Sequence, residues 1–409
     1  MLLMGFVTLV FIFVGYAKPT ESMAAGMGNV SLYASIGPRL TQYDMDIDGA
    51  TLAERGTIVL PEGVQYVWRH ATKPFIYVAS SNGRPGVLGD RHFLSALRMD
   101  SKGNLSPHGE PVTLRWRPVH LSTDRDSRYA LITYNNPSNI SVHRILDDGS
   151  LGAEIPQSVP ELGKTAHQML ATPTNDRVIL AVRGNPASKG KPEYPGALHV
   201  LEYKEGKLIH KQCIAPNCGF GFGPRHVDFH PSKPWIYMSV ERQNEIAFFE
   251  LGPVVKGPKY RKTTLARPDK LKTRQLAGAI HVHPSGNFVY VSNRADGTVD
   301  WQGEKVFNGG ENSIAVFSID AQTGEPNLIQ TEDTRGIHVR TFHIDSSGRL
   351  LVAANMTTRK VRENDAVKNV PGGLSVFRIG NDGKLQFIRK YDADVSQANM
   401  FWMGMIRLP

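Results

Sequence analysis

The segment RHATKPFIYVAS beginning at Arg69 and the segment FHPSKPWIYMSV beginning at Phe229 are two copies of one pattern, and a pattern recurring about every 50 residues dictates a fold made of stacked units. Aligned on the apolar residue at the centre of its second half, the pattern falls at Tyr33, Tyr77, Leu131, Leu180, Tyr237, Tyr290 and Leu351, which makes seven units. Each copy reads as a short strand, a turn of Pro, Asp, Ser or Gly, and a second strand rich in β-branched and aromatic residues, as in HVHPSGNFVYVSN from His281. A third strand with alternating hydrophobicity follows, closed by a Gly-containing turn, as in ALHVLEYKEG and SIAVFSIDAQTG.

Small antiparallel units must stack on neighbours to bury both faces, and a ring leaves no long exposed edge. The expectation is an all-β, seven-bladed β-propeller spanning residues 30–409 as one domain. The first unit has no inner strand ahead of Tyr33. The alternating apolar residues of NMFWMGMIRLP, from Asn399, should supply it, so that the C-terminal strand completes the N-terminal blade and closes the ring. Two polar, Gly-containing insertions, Arg294 to Asn312 and Thr358 to Gly373, read as surface loops. Residues 1–29 are expected to be a leader plus flexible linker. The apolar run Leu2 to Ala17 is short for a membrane span and suits a signal-peptide core. Export, with no stable membrane span after cleavage, is the expected address, and a cytoplasmic location the alternative.

A formal net charge of +9 favours anionic partners. Nucleic acid is not expected, because Lys and Arg are scattered through turns and the basic stretch Lys256 to Lys272 reads as a solvated insertion. Cys213 and Cys218 are the only cysteines. They lie close in a Pro/Asn/Gly-rich segment, where an oxidising compartment would let them pair. No zinc spacing and no carboxylate cage for calcium can be assembled, so no cofactor and no metal are expected. The oligomeric state is left open.

In each unit the first and second strands form an antiparallel hairpin, so the residue that begins the first lies beside the one that ends the second. This construction brings Arg225 and Glu241 together and adds His167 and Arg294 from the flanking units, giving one imidazole, one carboxylate and two guanidinium groups at the channel mouth. Two arginines can hold a carboxylate or phosphate, or stabilise negative charge developing on a carbonyl oxygen. His167 or Glu241 could move a proton, and the spacing does not say which. A cross-strand ion pair without catalytic use is the plainer reading. His226, His281 and His343 fall inside strand patterns and read as packing or inter-blade hydrogen-bonding residues, and His120 as a supporting neighbour of the site.

The segments GFGPRHVDFHPSKPWIYMSVE from Gly221, AGAIHVHPSGNFVYVSNR from Ala277 and HVRTFHIDSSGRLLVAAN from His338 resemble the seven-bladed lactonase family, which includes propeller-type 6-phosphogluconolactonases and carboxy-cis,cis-muconate cyclases. The resemblance runs through nearly the whole chain after the leader. It implies a lactone-ring hydrolase acting on a small anionic lactone or carboxylate, with His167, Arg225, Glu241 and Arg294 matching the cyclase branch's proposed active-site residues. Met356 departs from the pattern by standing where the family carries a polar residue. A muconate-type cycloisomerase and a non-catalytic exported binding propeller are the alternative readings.

Overall fold

The computed structural model describes residues 30–188, 190–271 and 274–409. The expected leader lies outside them. Within them the chain forms seven four-layered antiparallel blades, one of which carries a short extra strand. The seven innermost strands are Val64–Arg69, Pro118–Thr123, Ala166–Ala171, Pro224–Phe229, Leu276–Val282, Ile337–Ile344 and Met400–Arg407, and they touch one another in cyclic order around a channel. The C-terminal strand pairs with Val30–Ile36 from Val30↔Arg407 to Ile36↔Met400, which makes it the inner strand of the first blade. The join is reinforced at Ser35, whose Oγ donates to Trp402 O (3.2 Å) and accepts from Trp402 N (3.0 Å).

The repeat explains how the blades adhere. All seven aligned residues, from Tyr33 to Leu351, are fully buried on the second strands. Where that residue is Tyr, its hydroxyl reaches the neighbouring blade and donates to a glycine carbonyl: Tyr33 to Gly103 (2.5 Å), Tyr77 to Gly149 (3.1 Å), Tyr237 to Gly324 (2.9 Å) and Tyr290 to Gly383 (2.8 Å). These glycines close the turn between third and outer strands at φ between 74° and 87°, a conformation that costs other residues a steric penalty. Apolar layers fill each gap between blades. The layer from Leu198 and Val200 to Met238 and Phe249 is one, and the layer from Val352 and Val376 to Leu32 and Met403 seals the closing joint.

One expectation needs correction. The insertions after Arg294 and after Thr357 are not loops. They fold into the hairpins Thr298–Trp301/Glu304–Phe307 and Arg359–Glu363/Ala366–Val370, which join through the parallel pair Val306↔Lys360 into an extra four-stranded sheet. Tight turns make this possible: Gln302 and Gly303 both take positive φ (49° and 82°), as two-residue hairpins require, and Asn364 does the same at 56°. The two cysteines are free and exposed. Cys213 is held in a strand opposite His199, whereas Cys218 sits in the turn Pro216–Gly219 at φ 55°.

Candidate active site

The inner strands are irregular at one level. Each carries one residue more than its partner strand near its start, so that the extra residue is unpaired. Ala166 and Gln168 oppose Val182 and Ala181, leaving His167; Pro224 and His226 oppose Val240 and Ser239, leaving Arg225; Val339 and Thr341 oppose Asn355 and Ala354, leaving Arg340. The same count singles out Gln65 and Phe401. A bulge bends the strand and re-aims a side chain. Seven of them at one height make a collar around one end of the channel, here termed the inlet.

The neighbouring second strands end at this height and supply Arg183, Glu241 and Arg294. Glu241 is fixed from both sides: its N–H donates to Gly223 O and its carbonyl accepts from Ala277 N, each at 2.8 Å. Its carboxylate receives three guanidinium groups. Arg183 Nη1 donates to Oε2, Arg294 Nη2 donates to Oε1, and Arg225 Nε stands 3.4 Å from Oε1. Arg225 and Glu241 are each only 1 % exposed, so the cluster is sunk below the rim rather than displayed on it. Arg183 is its outer member and lines an open cleft of about 460 Å³ together with Asn135, Ser138, Thr165 and Asn185.

Positive charge exceeds negative here. Arg340 and Arg117 are buried with no ion-pair partner among the described residues. Arg340 donates from Nε to Phe401 O at 3.0 Å, and its guanidinium lies 3.7 Å from the centre of the Phe401 ring, a cation–π contact. The proton affinities report the crowding. Burial and the neighbouring Arg294 drive Arg225 and Arg340 well below the usual guanidinium value. Burial alone would raise Glu241, but Arg183, Arg294 and Arg225 together hold it below the usual carboxylate range. Burial, then Arg225, Arg183 and further arginines, push His167 well below 6.5.

His167, Arg225, Glu241 and Arg294 are thus all at the inlet, with Glu241 bonded or ion-paired to both arginines. His167 makes no bond to Glu241; its ring lies 5.1 Å from that of His226, and its carbonyl accepts from Thr133 Oγ1 at 3.1 Å. His226, expected to pack, instead faces the cluster, with Arg225 Nη1 3.1 Å from its Nδ1. His120 is fully buried between Tyr66 and His226, with neither ring nitrogen hydrogen-bonded among the described residues. His281 and His343 lie at the far end of the channel.

Sequence reasoning missed Arg183, Arg340, His338 and Asp296. Arg183 follows LAV as Glu241 follows MSV, and VRT at residues 339–341 stands where PRH stands at 224–226, so the repeat itself held the signal. His338 adopts φ 60°, and its N–H donates to Asn312 Oδ1 (2.8 Å), which also accepts from Ala295 N (3.0 Å). A left-handed non-glycine residue pinned by a side chain is stored strain of the kind found at functional sites. His338 Nε2 accepts from Arg294 Nη1 at 3.2 Å, and its Nδ1 lies 3.2 Å from Asp296 Oδ2. Because Arg294 can only donate, His338 Nε2 accepts and the ring proton sits on Nδ1, beside Asp296, whose carboxyl is held down to about 2 first by His338 and further by Arg359. Both Asp296 and Arg359 stand at the feet of the extra sheet. No trio of His, Cys, Asp or Glu arranged to hold a metal ion is found among the described residues.

Comparison with known proteins gives concordant findings. The family described as lactonase, 7-bladed beta-propeller matches residues 29–368. Curated relatives include the 6-phosphogluconolactonase of Bacillus subtilis, 25 % identical over 350 residues (82 % of this chain and 90 % of the relative), and that of Pectobacterium carotovorum, 28 % identical over 353 residues (86 % and 91 %). Among solved structures, the periplasmic gluconolactonase of Pseudomonas aeruginosa superposes with a TM-score of 0.69 at 18 % identity (93 % of this chain, 99 % of the other), and a protein of Lactobacillus plantarum with 0.68 at 20 % (93 % and 99 %). At such identities the structures speak for the fold.

Proposed function

The chain belongs to the seven-bladed β-propeller lactonase family, and from that premise we propose that it hydrolyses an anionic, sugar-type lactone of the 6-phosphogluconolactonase kind at the inlet. The observation that carries this reading is the surplus of buried guanidinium over carboxylate around Glu241. A site with that surplus favours a phosphate, a carboxylate or the oxyanion formed when water adds to a ring ester.

The proton affinities divide the roles. Glu241 is ionised and bonded to arginines, which makes it a poor base; it holds Arg183, Arg225 and Arg294 in place. Burial first, then Arg225 and Arg183, keep His167 neutral, and an incoming anion offsets the arginines' share of that depression. His167 takes a proton from water, the oxygen adds to the lactone carbonyl, and Arg225 and Arg294 receive the negative charge. The ring C–O bond then breaks, the leaving oxygen takes up the proton, and a hydroxy acid results. The test is a panel of glucono-1,5-lactone, its 6-phosphate and a carboxymuconate against wild type and His167→Gln. Loss of hydrolysis by about 10²-fold in the variant, at unchanged melting, supports the assignment. Unchanged turnover removes His167 as base, and turnover of the muconate alone replaces hydrolysis by cyclisation.

The apolar run Leu2 to Ala17 supports export. An exported enzyme meets unphosphorylated sugar lactones more often than phosphorylated ones, and the N-terminal sequence of the mature protein decides the point: a start after Ala17 agrees, and an intact Leu2 contradicts.

A further inference from the structure

The far end of the channel, here the outlet, is a different compartment. Inner strands advance about 3.3 Å per residue, so Asp228 lies roughly 10 Å along from Arg225 on the same strand. From the residues just past the bulges down to the depth of Asp228 and beyond, six inner strands enclose a cavity of about 390 Å³. Its walls are aromatic, from Tyr66, Trp68, Phe342 and Trp402, and Asp228, His281, Arg69 and Thr341 are set among them. Tyr66 and His226, which line its upper end, form with His120 and His167 a chain of rings on the side of the arginines, at successive centroid separations of 4.2, 5.8 and 5.1 Å.

The polar groups of the cavity are positioned. Asp228 accepts from Phe229 N through Oδ1 (2.9 Å) and from Val282 N through Oδ2 (2.8 Å), which immobilises the carboxylate and leaves each oxygen a further lone pair. His281 places Nδ1 3.7 Å from Oδ2 and is braced edge-on by Phe342 at 5.0 Å. Thr341 Oγ1 is buried and has no hydrogen-bond partner among the described residues. Asp228 is the one carboxylate of the lining, and the guanidinium that acts on it, Arg125, is not among the lining residues. A fixed carboxylate repels an anion, and a purely apolar guest would bury the carboxylate and hydroxyl unmet, at a cost.

We propose that the outlet cavity is a second small-molecule site, for an uncharged ring with one apolar face and several hydroxyls, of the sugar type. The apolar face covers Trp68 and Trp402, and the hydroxyls donate to Asp228 and pair with Thr341. Volume and lining fit, since ligand cavities begin at about 300 Å³ and combine aromatic walls with a few fixed polar groups. The inference stands independently of the reaction at the inlet.

The experiment is a calorimetric titration of the full chain with methyl β-D-glucopyranoside, followed in parallel by tryptophan fluorescence. Saturable binding is expected in wild type and in Arg225→Ala, weakened about tenfold in Trp68→Ala and in Asp228→Asn. Trp68→Ala carries the test alone if Asp228→Asn does not fold. No saturable binding in wild type overturns the proposal, and so does binding that Arg225→Ala abolishes and Trp68→Ala leaves intact. Uptake of toluene with exclusion of the glucoside marks a purely apolar cavity and overturns it as well.

Discussion

The two ends of one channel are built from the same seven strands and have opposite chemistry. At the inlet each inner strand carries an extra residue, and the bulges carry His167, Arg225 and Arg340, of which Arg225 is paired with the Glu241 carboxylate. At the outlet the strands are regular, aromatic side chains line the wall, and Asp228 is the one carboxylate of the lining. A repeated fold thus gains a polar centre by a repeated defect in pairing: the residues that leave the ladder are free to do chemistry, and those that stay in it hold the ring together.

The largest effects should separate the ends. Arg225→Ala and Arg294→Ala are expected to lower kcat/KM for an anionic lactone by about 10²-fold or more, the scale of losing a group that stabilises an oxyanion, while Trp68→Ala at the outlet changes it by about twofold at most. Steady-state kinetics on folded variants checks both. Equal losses at the two ends would erase the distinction.

The pH dependence comes next. His167 has its affinity for protons depressed, so its neutral form persists as pH falls through 6.5. The acid limb of kcat/KM should therefore lie below that value; a limb at the ordinary imidazole value contradicts the burial of the base. Stability follows the same sign at both ends. Burial lowers His120 and His343 to about 3 and His338 to about 4, so each adds stability that is fully present above 6.5 and is lost as pH falls toward its folded value, where the unfolded chain binds protons and the folded one does not. Melting temperature should drop steadily on acidification below 6.5, and a flat profile counts against buried neutral imidazoles.

Smaller effects sharpen the inlet. His338→Leu deprives Arg294 of its acceptor and should lower kcat about tenfold, whereas His338→Gln, which retains an acceptor oxygen, should recover most of it. A merely structural role for His338 predicts equal losses. The smallest expected effect is general to the ring: Tyr237→Phe removes one bond between blades and should cost about 1 kcal/mol in chemical denaturation, with activity unaltered.

The blades, their number and the closing strand were legible because period-2 patterning and turn residues are local properties, and Tyr33, Tyr77, Tyr237 and Tyr290 carry one role in one sequence context. Arg225, Glu241 and Arg294 were legible for a related reason, since hairpin geometry puts strand starts beside strand ends. Arg340 occupies the same place in its blade as Arg225 does, but the strand beside it ends in Asn355, Met356 and Thr357 with no carboxylate, so no ion pair drew attention to it; His226, one residue past the bulge, looked like any other strand residue. The extra sheet was obscured by its polarity: residues 298–307 and 359–370 alternate weakly, and their pairing through Val306 and Lys360 joins segments that only the closed ring brings together.

The most direct test is a crystal structure of the protein soaked with 6-phosphogluconate. The expected result is an anion in contact with Arg225, Arg294 or Arg340 within the bulged collar. An anion bound at the aromatic outlet, with the inlet arginines untouched, would contradict the assignment of the two ends.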